Sequence, residues 1–428
     1  MDRFEEGLRI LEGRGPAPPP ARALDPPPPA RGGPAGGAPA APERTGARAR
    51  PAPARGRAPA GTPGADGPPP PGWRTGPVDE AGTLEDLSDR PLLCGDADWA
   101  NGHAVVGGSD HALYVLDAAT GRRKRTLHGR DRGHAEWVTS VACLPDGRIL
   151  SGAMDAKLCL WSAGSTACRD LRDHSGPVSA VVRAGGAGWA ASASYDKTVR
   201  LWDCAGAGRG AGGCAQALSG HRAPVLCLDA SEDGGSLVSG DRGGSVLLWD
   251  AAGGASSARF AELHGGHATA ARFVRGTGGT QALTGGQDGC VCLLDRRAPG
   301  GPAARAAVHV GDKGRGAVGD LAEAGGGEGP PYVVTAGADG TARVLDARAG
   351  LAEVSRARLT DFPYCLATLG PLALVGCGDG SLHVIDAAAG RTLYALGAGR
   401  AAVRFAAASG GRLVTAGDDG NAVSYRFA

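Results

Sequence analysis

The sequence predicts an all-β fold built from eight copies of one unit, preceded by a disordered low-complexity tail. The first observation is a pattern that recurs after residue 90, in which a short apolar strand, a Gly-rich turn and a second alternating strand follow one another. The second is a change of composition near residue 82, because much of the excess of Pro and Gly lies before it. The charge balance concerns possible partners and not the fold. With 45 basic and 44 acidic side chains, the sequence indicates neither a nucleic-acid partner nor an acidic substrate.

The tail divides into two parts. Residues 1–12 carry apolar side chains at helical spacing, which predicts one short amphipathic helix. Residues 13–82 consist mainly of Pro, Ala, Gly and Arg and cannot bury enough apolar surface to fold, so we predict that they are disordered. Whether this tail is functional, a plain linker or an organelle transit segment stays open. The repeats then occupy residues 83–428.

Three columns of residues align the eight units. The anchor column, in the first strand of each pair, reads Val106, Ser151, Ser192, Ser239, Thr284, Thr335, Val375 and Thr415. Four residues further on stand Asp110, Asp155, Asp196, Gly243, Asp288, Asp339, Asp379 and Asp419. Ten residues beyond the anchor stand Leu116, Trp161, Trp202, Trp249, Leu294, Leu345, Ile385 and Tyr425. Consecutive anchors are 40 to 51 residues apart, which indicates an internal repeat of this period.

A further pair of residues precedes some of the units, with its histidine 17 or 18 residues before the anchor. It reads Gly133-His134, Gly220-His221 and Gly266-His267, with Asp173-His174 as a variant. With the columns, these pairs resemble the WD40-repeat family over residues 90–428. The resemblance implies a β-propeller of eight blades, or of seven with one irregular unit. The eighth unit reaches Ala428 without an outermost strand, so residues 83–89 are expected to supply it and close the ring.

The same resemblance implies a hydrogen-bonded tetrad of His, Ser or Thr, Asp and Trp inside each blade. Complete sets occur in the second and third units: His134, Ser151, Asp155 and Trp161, then His174, Ser192, Asp196 and Trp202. In the fourth unit Gly243 replaces the Asp, in the fifth Leu294 replaces the Trp, and the others lack the histidine. His, Ser and Asp also form nucleophilic triads, but an active site does not recur blade after blade, so we interpret the sets as structural.

Several other classes of site are not indicated by the sequence. The 11 cysteines include no CxxC pair, so we expect small buried side chains in a reducing compartment, with no cofactor and no metal. No apolar run is long enough for a membrane-spanning helix, and no small-molecule substrate or sequence-specific nucleic acid is indicated. We expect a cytoplasmic protein, with a nuclear location as the alternative.

The resemblance favours a non-catalytic scaffold that binds other proteins, whose identity the sequence does not indicate. One alternative is a substrate receptor of a cullin-RING ubiquitin ligase, because some relatives dock an adaptor through Asp-x-Arg motifs on two consecutive blades. Here the candidate residues are Asp295 and Arg297 in the fifth unit and Asp346 and Arg348 in the sixth. Leu294 and Leu345 replace the Trp that precedes the motif in the family, so plain surface arginines are the competing interpretation.

A propeller enzyme is the third hypothesis. It requires a cluster of catalytic or metal-binding side chains that does not repeat from blade to blade. His264 and His267 near Cys290 and Cys292 come nearest, but their spacing is not that of a metal site.

Overall fold

The computed structural model describes residues 69–129, 132–185, 188–205, 213–298, 300–309, 316–325 and 332–428. The helix predicted over residues 1–12 and the predicted tail as far as residue 68 lie outside the described residues. Within the described residues, no helix has the length and apolar character needed to cross a membrane.

The described residues form 32 strands and one 3₁₀ helix, Pro71–Arg74. The first eight strands are β1 (Thr83–Asp86), β2 (Leu92–Asp98), β3 (His103–Gly108), β4 (Leu113–Asp117), β5 (Arg123–Leu127), β6 (Val138–Cys143), β7 (Ile149–Ala153) and β8 (Leu158–Trp161). The next eight are β9 (Cys168–Leu171), β10 (Val178–Arg183), β11 (Trp189–Ser194), β12 (Thr198–Asp203), β13 (Cys214–Ser219), β14 (Val225–Ala230), β15 (Ser236–Asp241) and β16 (Val246–Asp250). They are followed by β17 (Ala255–Phe260), β18 (Ala268–Phe273), β19 (Gln281–Gly286), β20 (Cys290–Asp295), β21 (Ala304–Ala307), β22 (Val318–Ala324), β23 (Tyr332–Gly337) and β24 (Thr341–Asp346). The last eight are β25 (Ala352–Arg358), β26 (Pro363–Leu369), β27 (Leu372–Cys377), β28 (Ser381–Asp386), β29 (Arg391–Gly397), β30 (Val403–Ser409), β31 (Arg412–Gly417) and β32 (Asn421–Arg426).

These strands form eight antiparallel sheets of four strands each, which are the blades of a propeller. Blades 1 to 7 are built from consecutive strands, β2–β5 through β26–β29. Blade 8 combines β30, β31 and β32 with β1, whose Thr83 lies opposite Ser424. The first strand of each blade contacts the first strand of the next, and β30 contacts β2. The ring is therefore closed with eight blades, which confirms eight over seven and confirms the closing strand predicted before the first unit.

Small residues that directly follow the anchors let neighbouring blades approach closely. A Cβ atom at Gly152 would lie 2.5 Å from a methyl carbon of Val178 on the first strand of the next blade. The same substitution at Gly285 would place its Cβ atom 2.6 Å from a methyl carbon of Val318. Both valines are fully buried. At Gly152 and Gly285 a glycine is thus required by packing between blades, since these interfaces have no room for an added methyl group.

The hydrophobic core is distributed between the blades. One cluster joins Val105 and Leu113 of blade 1 to Val138 and Trp161 of blade 2, and equivalent clusters lie between the blades that follow. Each blade therefore buries its apolar faces only when its neighbours are present, as in other repeat folds.

The described chain before β1 also packs on the propeller, although the sequence assigned residues 13–82 to the tail. Trp73, in the 3₁₀ helix, is fully buried and stacks on Phe427 with ring centroids 3.7 Å apart. Its indole nitrogen donates to the carbonyl of Gly410 at 2.6 Å, and its own carbonyl accepts from the hydroxyl of Tyr394 at 2.8 Å. We call residues 71–78 the N-terminal strap. The folded part of the chain therefore begins before residue 83, because buried Trp73 and the backbone hydrogen bonds of Gly72 and Val78 hold the strap against the propeller.

Candidate functional site: histidine networks and the arginine rim

The structure brings together the side chains of both tetrads that the sequence pattern indicated. In blade 2, His134 Nε2 lies 2.8 Å from Ser151 Oγ, which also accepts from the Trp161 indole at 2.9 Å. His134 Nδ1 lies 3.3 Å from both carboxylate oxygens of Asp155.

Blade 3 repeats this arrangement with shorter contacts. His174 lies 2.7 Å from Ser192 and 2.7 Å from Asp196, and Trp202 donates to Ser192 at 2.8 Å. Burial alone would raise the pKa of Asp196, but the hydrogen bonds from His174 and Thr198 hold it well below its usual range.

Blade 4 contains a complete network, contrary to the expectation that Gly243 interrupts it. Asp241, two residues after the anchor and not four, lies 2.8 Å from His221 Nδ1. His221 Nε2 lies 2.7 Å from Ser239, and Trp249 donates to Ser239 at 2.8 Å. The carboxylate thus enters the network from the end of β15, where it also accepts from the backbone N–H groups of Gly243 and Ser245 in the following turn.

Blades 5 and 6 contain histidine networks without the Trp. In blade 5 the histidine is His264 and not His267: it lies 2.9 Å from Thr284 and 3.2 Å from Asp288. Blade 6 was expected to lack the residue, but His309 lies 2.9 Å from both Thr335 and Asp339. His309 precedes its anchor by 26 residues and not 17 or 18, which is why the spacing did not reveal it.

Blades 1 and 8 have other polar contacts in place of the histidine network. In blade 1, Ser88 and Tyr114 both donate to Asp110, at 2.6 and 2.5 Å. Burial and the neighbouring carboxylate raise the pKa of Tyr114 to about 12. In blade 8, Tyr425 stands at the Trp position and donates to the carbonyl of Gly397 at 3.1 Å.

The histidine networks are closed to solvent and hold the strands of each blade together. The anchor serines and threonines of blades 2 to 6 have no exposed surface, and the histidine side chains have none either. A hydroxyl in such a position cannot reach a substrate, whereas a fully satisfied buried network rigidifies the surrounding strands. His264 belongs to one of these networks and Cys292 is buried, so these two of the four side chains named for the enzyme hypothesis are closed to solvent.

A different group of side chains is presented to solvent where the third strand of blades 5 and 6 ends. We call Asp295, Arg297, Asp346 and Arg348 the arginine rim. Arg297 donates to Asp295 through Nε at 2.8 Å and through a terminal nitrogen at 2.5 Å, and its backbone N–H donates to the same carboxylate at 2.9 Å. The side chain of Arg297 is nevertheless 68% exposed, whereas that of Asp295 is 11% exposed. The hydrogen bonds from Arg297 hold the pKa of Asp295 well below its usual range.

In blade 6 the rim has the same backbone hydrogen bonds, but the guanidinium of Arg348 is not paired with the aspartate as that of Arg297 is. Asp346 accepts from the backbone N–H groups of Arg348 and Ala349, at 2.8 and 3.3 Å. Arg348 is exposed, and its guanidinium has no hydrogen bond or ion pair within the described part of the chain. Asp295 and Asp346 thus both fix the turn that carries an arginine two residues later.

The strap brings a third arginine to the same rim. Asp386 ends the third strand of blade 7, and Arg74 of the strap approaches its carboxylate to 3.0 Å. Arg296 does not join this group, because its guanidinium donates to Ser236 of blade 4 at 2.9 Å. Three neighbouring blades therefore each present one arginine beside the carboxylate that ends the third strand.

Three segments of the chain match the family model described as WD domain, G-beta repeat: residues 121–162, 165–203 and 212–250. Each match begins with the outermost strand of one blade and ends after the third strand of the next. The three matches end in blades 2, 3 and 4, the blades whose networks include a Trp.

Two relatives align with part of the chain. The chain is 39% identical over 79 residues to "Small ribosomal subunit protein RACK1" of Schizosaccharomyces pombe, covering 17% of this chain and 25% of that protein. It is 28% identical over 141 residues to "p21-activated protein kinase-interacting protein 1-like" of Danio rerio, covering 31% of this chain and 36% of that protein. The chain thus spans about a quarter to a third of the length of these curated relatives.

Solved structures resemble the whole folded region. Sqt1 of Chaetomium thermophilum, solved with the N-terminus of ribosomal protein L10 bound, superimposes with a TM-score of 0.70 at 15% identity, covering 81% of this chain and 100% of that one. The computationally designed Ika8 protein superimposes with a TM-score of 0.65 at 22% identity, covering 80% of this chain and 98% of that one. At these identities the likeness shows the fold alone.

Proposed function

Because this chain is a WD40-repeat β-propeller, we propose that it is a non-catalytic scaffold whose arginine rim binds a partner protein. The observation that carries the proposal is the exposure of Arg297 and Arg348 on neighbouring blades, each on a turn fixed by an aspartate. The guanidinium of Arg297 is held by Asp295 and so loses little conformational freedom on binding. A guanidinium pairs with carboxylates or backbone carbonyls through two parallel hydrogen bonds. The expected partner segment therefore offers acidic side chains or free carbonyls.

Two further observations support a scaffold role. The His, Ser and Asp side chains that could form a nucleophilic triad are sealed inside the blades. The structural neighbour Sqt1 was solved with the N-terminus of ribosomal protein L10 bound, which supports the idea that a propeller of this shape accepts a segment of another protein. We expect the complexes to form in the cytoplasm, with the nucleus as the alternative.

The second candidate function is a substrate receptor of a cullin-RING ubiquitin ligase. The Asp-x-Arg arrangement on two adjacent blades favours it, because Asp295 clamps Arg297 with its guanidinium facing solvent. Leu294 and Leu345 weigh against it, because they stand where the family motif has Trp. In this candidate function, the arginine rim docks the adaptor and another surface of the propeller receives the substrate.

Affinity purification with quantitative mass spectrometry tests both candidates. The tagged full-length protein is compared with Arg297→Ala/Arg348→Ala and with the control Arg222→Ala/Arg358→Ala. The control removes two exposed arginines from the opposite rim, where the fourth strands of blades 3 and 6 lead to the next blade. Both double variants lose the same charge and should fold alike, since surface changes of this kind alter stability by about 0.5 kcal/mol or less.

We expect at least one partner to be depleted about tenfold or more from the rim variant and retained by the control, as for removal of central interface arginines. If that partner is a cullin adaptor, the ligase-receptor function is supported. If it belongs to another assembly, the scaffold proposal stands without the ligase. Equal recovery of every partner by all three proteins would show that the arginine rim binds none of them.

A further inference from the structure

Two cysteines and an aspartate converge on the outer half of blade 2. Cys159 lies on β8 and faces Asp170 on the outermost strand β9, and Cys168 precedes Asp170 by two residues on the same strand. Residues two apart on a strand share a face, so all three side chains project from one side of the sheet. Their sulfur and oxygen atoms lie within 4.8 Å of one another. Cys159 Sγ is 3.5 Å, and Cys168 Sγ is 3.9 Å, from the same carboxylate oxygen of Asp170.

These separations fit the edges of a tetrahedral metal site. With Zn–S bonds of about 2.3 Å and a Zn–O bond of about 2.0–2.2 Å, tetrahedral angles place neighbouring ligand atoms roughly 3.5–3.8 Å apart. The two observed sulfur–oxygen distances, 3.5 and 3.9 Å, need only a few tenths of an ångström of adjustment. We propose that Cys159, Cys168 and Asp170 form a binding site for Zn²⁺ on the outer edge of blade 2.

The two carboxylate oxygens of Asp170 have different partners. Both sulfurs approach one oxygen, and the second oxygen is paired with two cations, which leaves the first oxygen facing the sulfurs. Lys157 Nζ lies 2.9 Å and an Arg172 nitrogen 2.7 Å from that second oxygen. The backbone N–H of Gly133 donates to the first oxygen at 3.2 Å and helps to orient it. Partners of this kind fix a carboxylate ligand before the metal binds.

The charges of the site suit a thiophilic divalent ion. Binding releases the two thiol protons to solvent and forms two Zn–S bonds and one Zn–O bond. Two thiolates and one carboxylate carry more negative charge than Zn²⁺ neutralises, and Lys157 compensates the remainder. Thiolates select zinc over magnesium and calcium, which prefer oxygen ligands. Cys168 and Asp170 are only half-buried, so an ion can enter from the edge of the blade.

His134 approaches the same site but belongs to the blade-2 network. Its Nδ1 lies 3.8 Å from Cys159 Sγ and 3.3 Å from Asp155, while its Nε2 binds Ser151. Capture of His134 by the ion would break its contact with Asp155. We therefore assign three protein ligands and leave the fourth position to water. Bound zinc would cross-link β9 to β8 beside that network.

Blade 5 supplies an internal comparison. Cys292 occupies the position of Cys159, but the residue opposite it is Arg305. The guanidinium of Arg305 extends to Asp288 at 3.0 Å and to the sulfur of Cys290 at 3.5 Å. The positively charged Arg305 therefore occupies the position at which blade 2 has the proposed ligand Asp170, so we expect no zinc site in blade 5.

The test uses the full-length protein, reduced and freed of metal with a chelator, and titrates it with Co²⁺. We expect one equivalent to bind with a thiolate-to-cobalt charge-transfer band, and Zn²⁺ to abolish the band by displacement. Cys168→Ser and Asp170→Asn should each weaken binding at least about tenfold, since even residues that only orient ligands contribute roughly 10–100-fold. The control Cys292→Ser should bind Co²⁺ like the wild type.

Zn²⁺ should also raise the Tm of the wild type and of Cys292→Ser, but not that of Cys168→Ser or Asp170→Asn. The near-ultraviolet circular dichroism of the tryptophans reports whether each variant is folded, and Asp170→Asn provides the answer if Cys168→Ser does not fold. The proposal is overturned if the reduced wild type shows no charge-transfer band, or if both ligand variants keep it. It is also overturned if mass spectrometry finds a Cys159–Cys168 disulfide whose reduced form takes up no metal.

Discussion

Replacement of Asp241 by alanine should strongly destabilise blade 4, although the sequence pattern places no network carboxylate at that position. The carboxylate side chain is 1% exposed and accepts from His221 Nδ1 at 2.8 Å, from Gly243 N–H at 2.9 Å and from Ser245 N–H at 3.0 Å. Its removal leaves three donors without a partner, at about 1–1.5 kcal/mol each. We therefore expect the free energy of unfolding to fall by about 3–5 kcal/mol, the range found when one member of a buried pair is removed.

Urea denaturation followed by tryptophan fluorescence measures this change, with Asp233→Ala as the matched control. Asp233 lies on an exposed turn of the same blade, where it accepts from Ser231 at 2.6 Å and from Gly235 at 3.0 Å. Its loss should cost about 1 kcal/mol or less because water replaces the lost contacts. If Asp241→Ala is no more destabilising than Asp233→Ala, the network assigned to blade 4 is wrong.

The same variant makes a prediction about pH. Burial alone would raise the pKa of Asp241, but the hydrogen bonds from His221 and from the Ser245 and Gly243 N–H groups outweigh it and lower the pKa. A carboxylate whose pKa is lowered on folding stabilises the protein above its unfolded pKa, near 3.9, and loses this contribution as the pH falls through the folded value. The stability difference between wild type and Asp241→Ala should therefore be constant near neutrality and shrink below about pH 4.

Three further predictions concern the ring and its closure. Trp73→Ala should lower the free energy of unfolding by about 3–5 kcal/mol in urea denaturation. A decrease of less than about 1 kcal/mol would mean that the strap does not pack on the folded ring. Thr83→Cys/Ser424→Cys should form a disulfide under mild oxidation, because the two residues lie opposite each other in blade 8; failure to cross-link on non-reducing gels would argue against closure by β1. Gly285→Ala should lower the Tm because its new Cβ atom meets Val318, at a cost of about 1–3 kcal/mol, and an unchanged Tm would show that blades 5 and 6 are not tightly packed.

The sequence could predict the blades because every blade uses the same spacing from anchor to tenth residue. Ser151 and Trp161, for example, are ten residues apart along the chain and form a direct hydrogen bond in the structure. The turn between their strands has a fixed length, so the sequence distance implies the spatial contact. The closing strand followed from the same reasoning, since seven blades complete themselves and the eighth needs β1.

The networks outside blades 2 and 3 could not be assigned because their members do not stand at the sequence positions that the pattern defines. His309 lies 26 residues before Thr335, and Asp241 lies two residues after its anchor, so neither falls in the expected column. Both side chains nevertheless reach the network from these shifted positions. The spacing of residues along the sequence does not show which side chains can do so. Trp73 was missed for another reason, because a single aromatic residue in a Pro- and Gly-rich segment carries no periodic signal.

The arginine rim and the proposed zinc site differ in what the sequence could indicate. The arginines stand at a fixed offset from the strand ends, so their placement on neighbouring blades could be anticipated. Cys159 and Asp170 come together only through the register of β8 with β9. Their sequence separation matches no metal motif, and the register depends on the length of the turn between the two strands.

The most direct test of the arginine rim as the binding surface is site-specific photo-cross-linking in cells. A photoreactive amino acid replaces Ala298 or Ala349, both exposed beside the rim arginines, or Ala135 on the opposite rim as the control. Our account predicts adducts with the same partner protein from Ala298 and Ala349, and none with that partner from Ala135. Adducts with the partner from Ala135 alone would contradict it and would place the binding surface on the other rim.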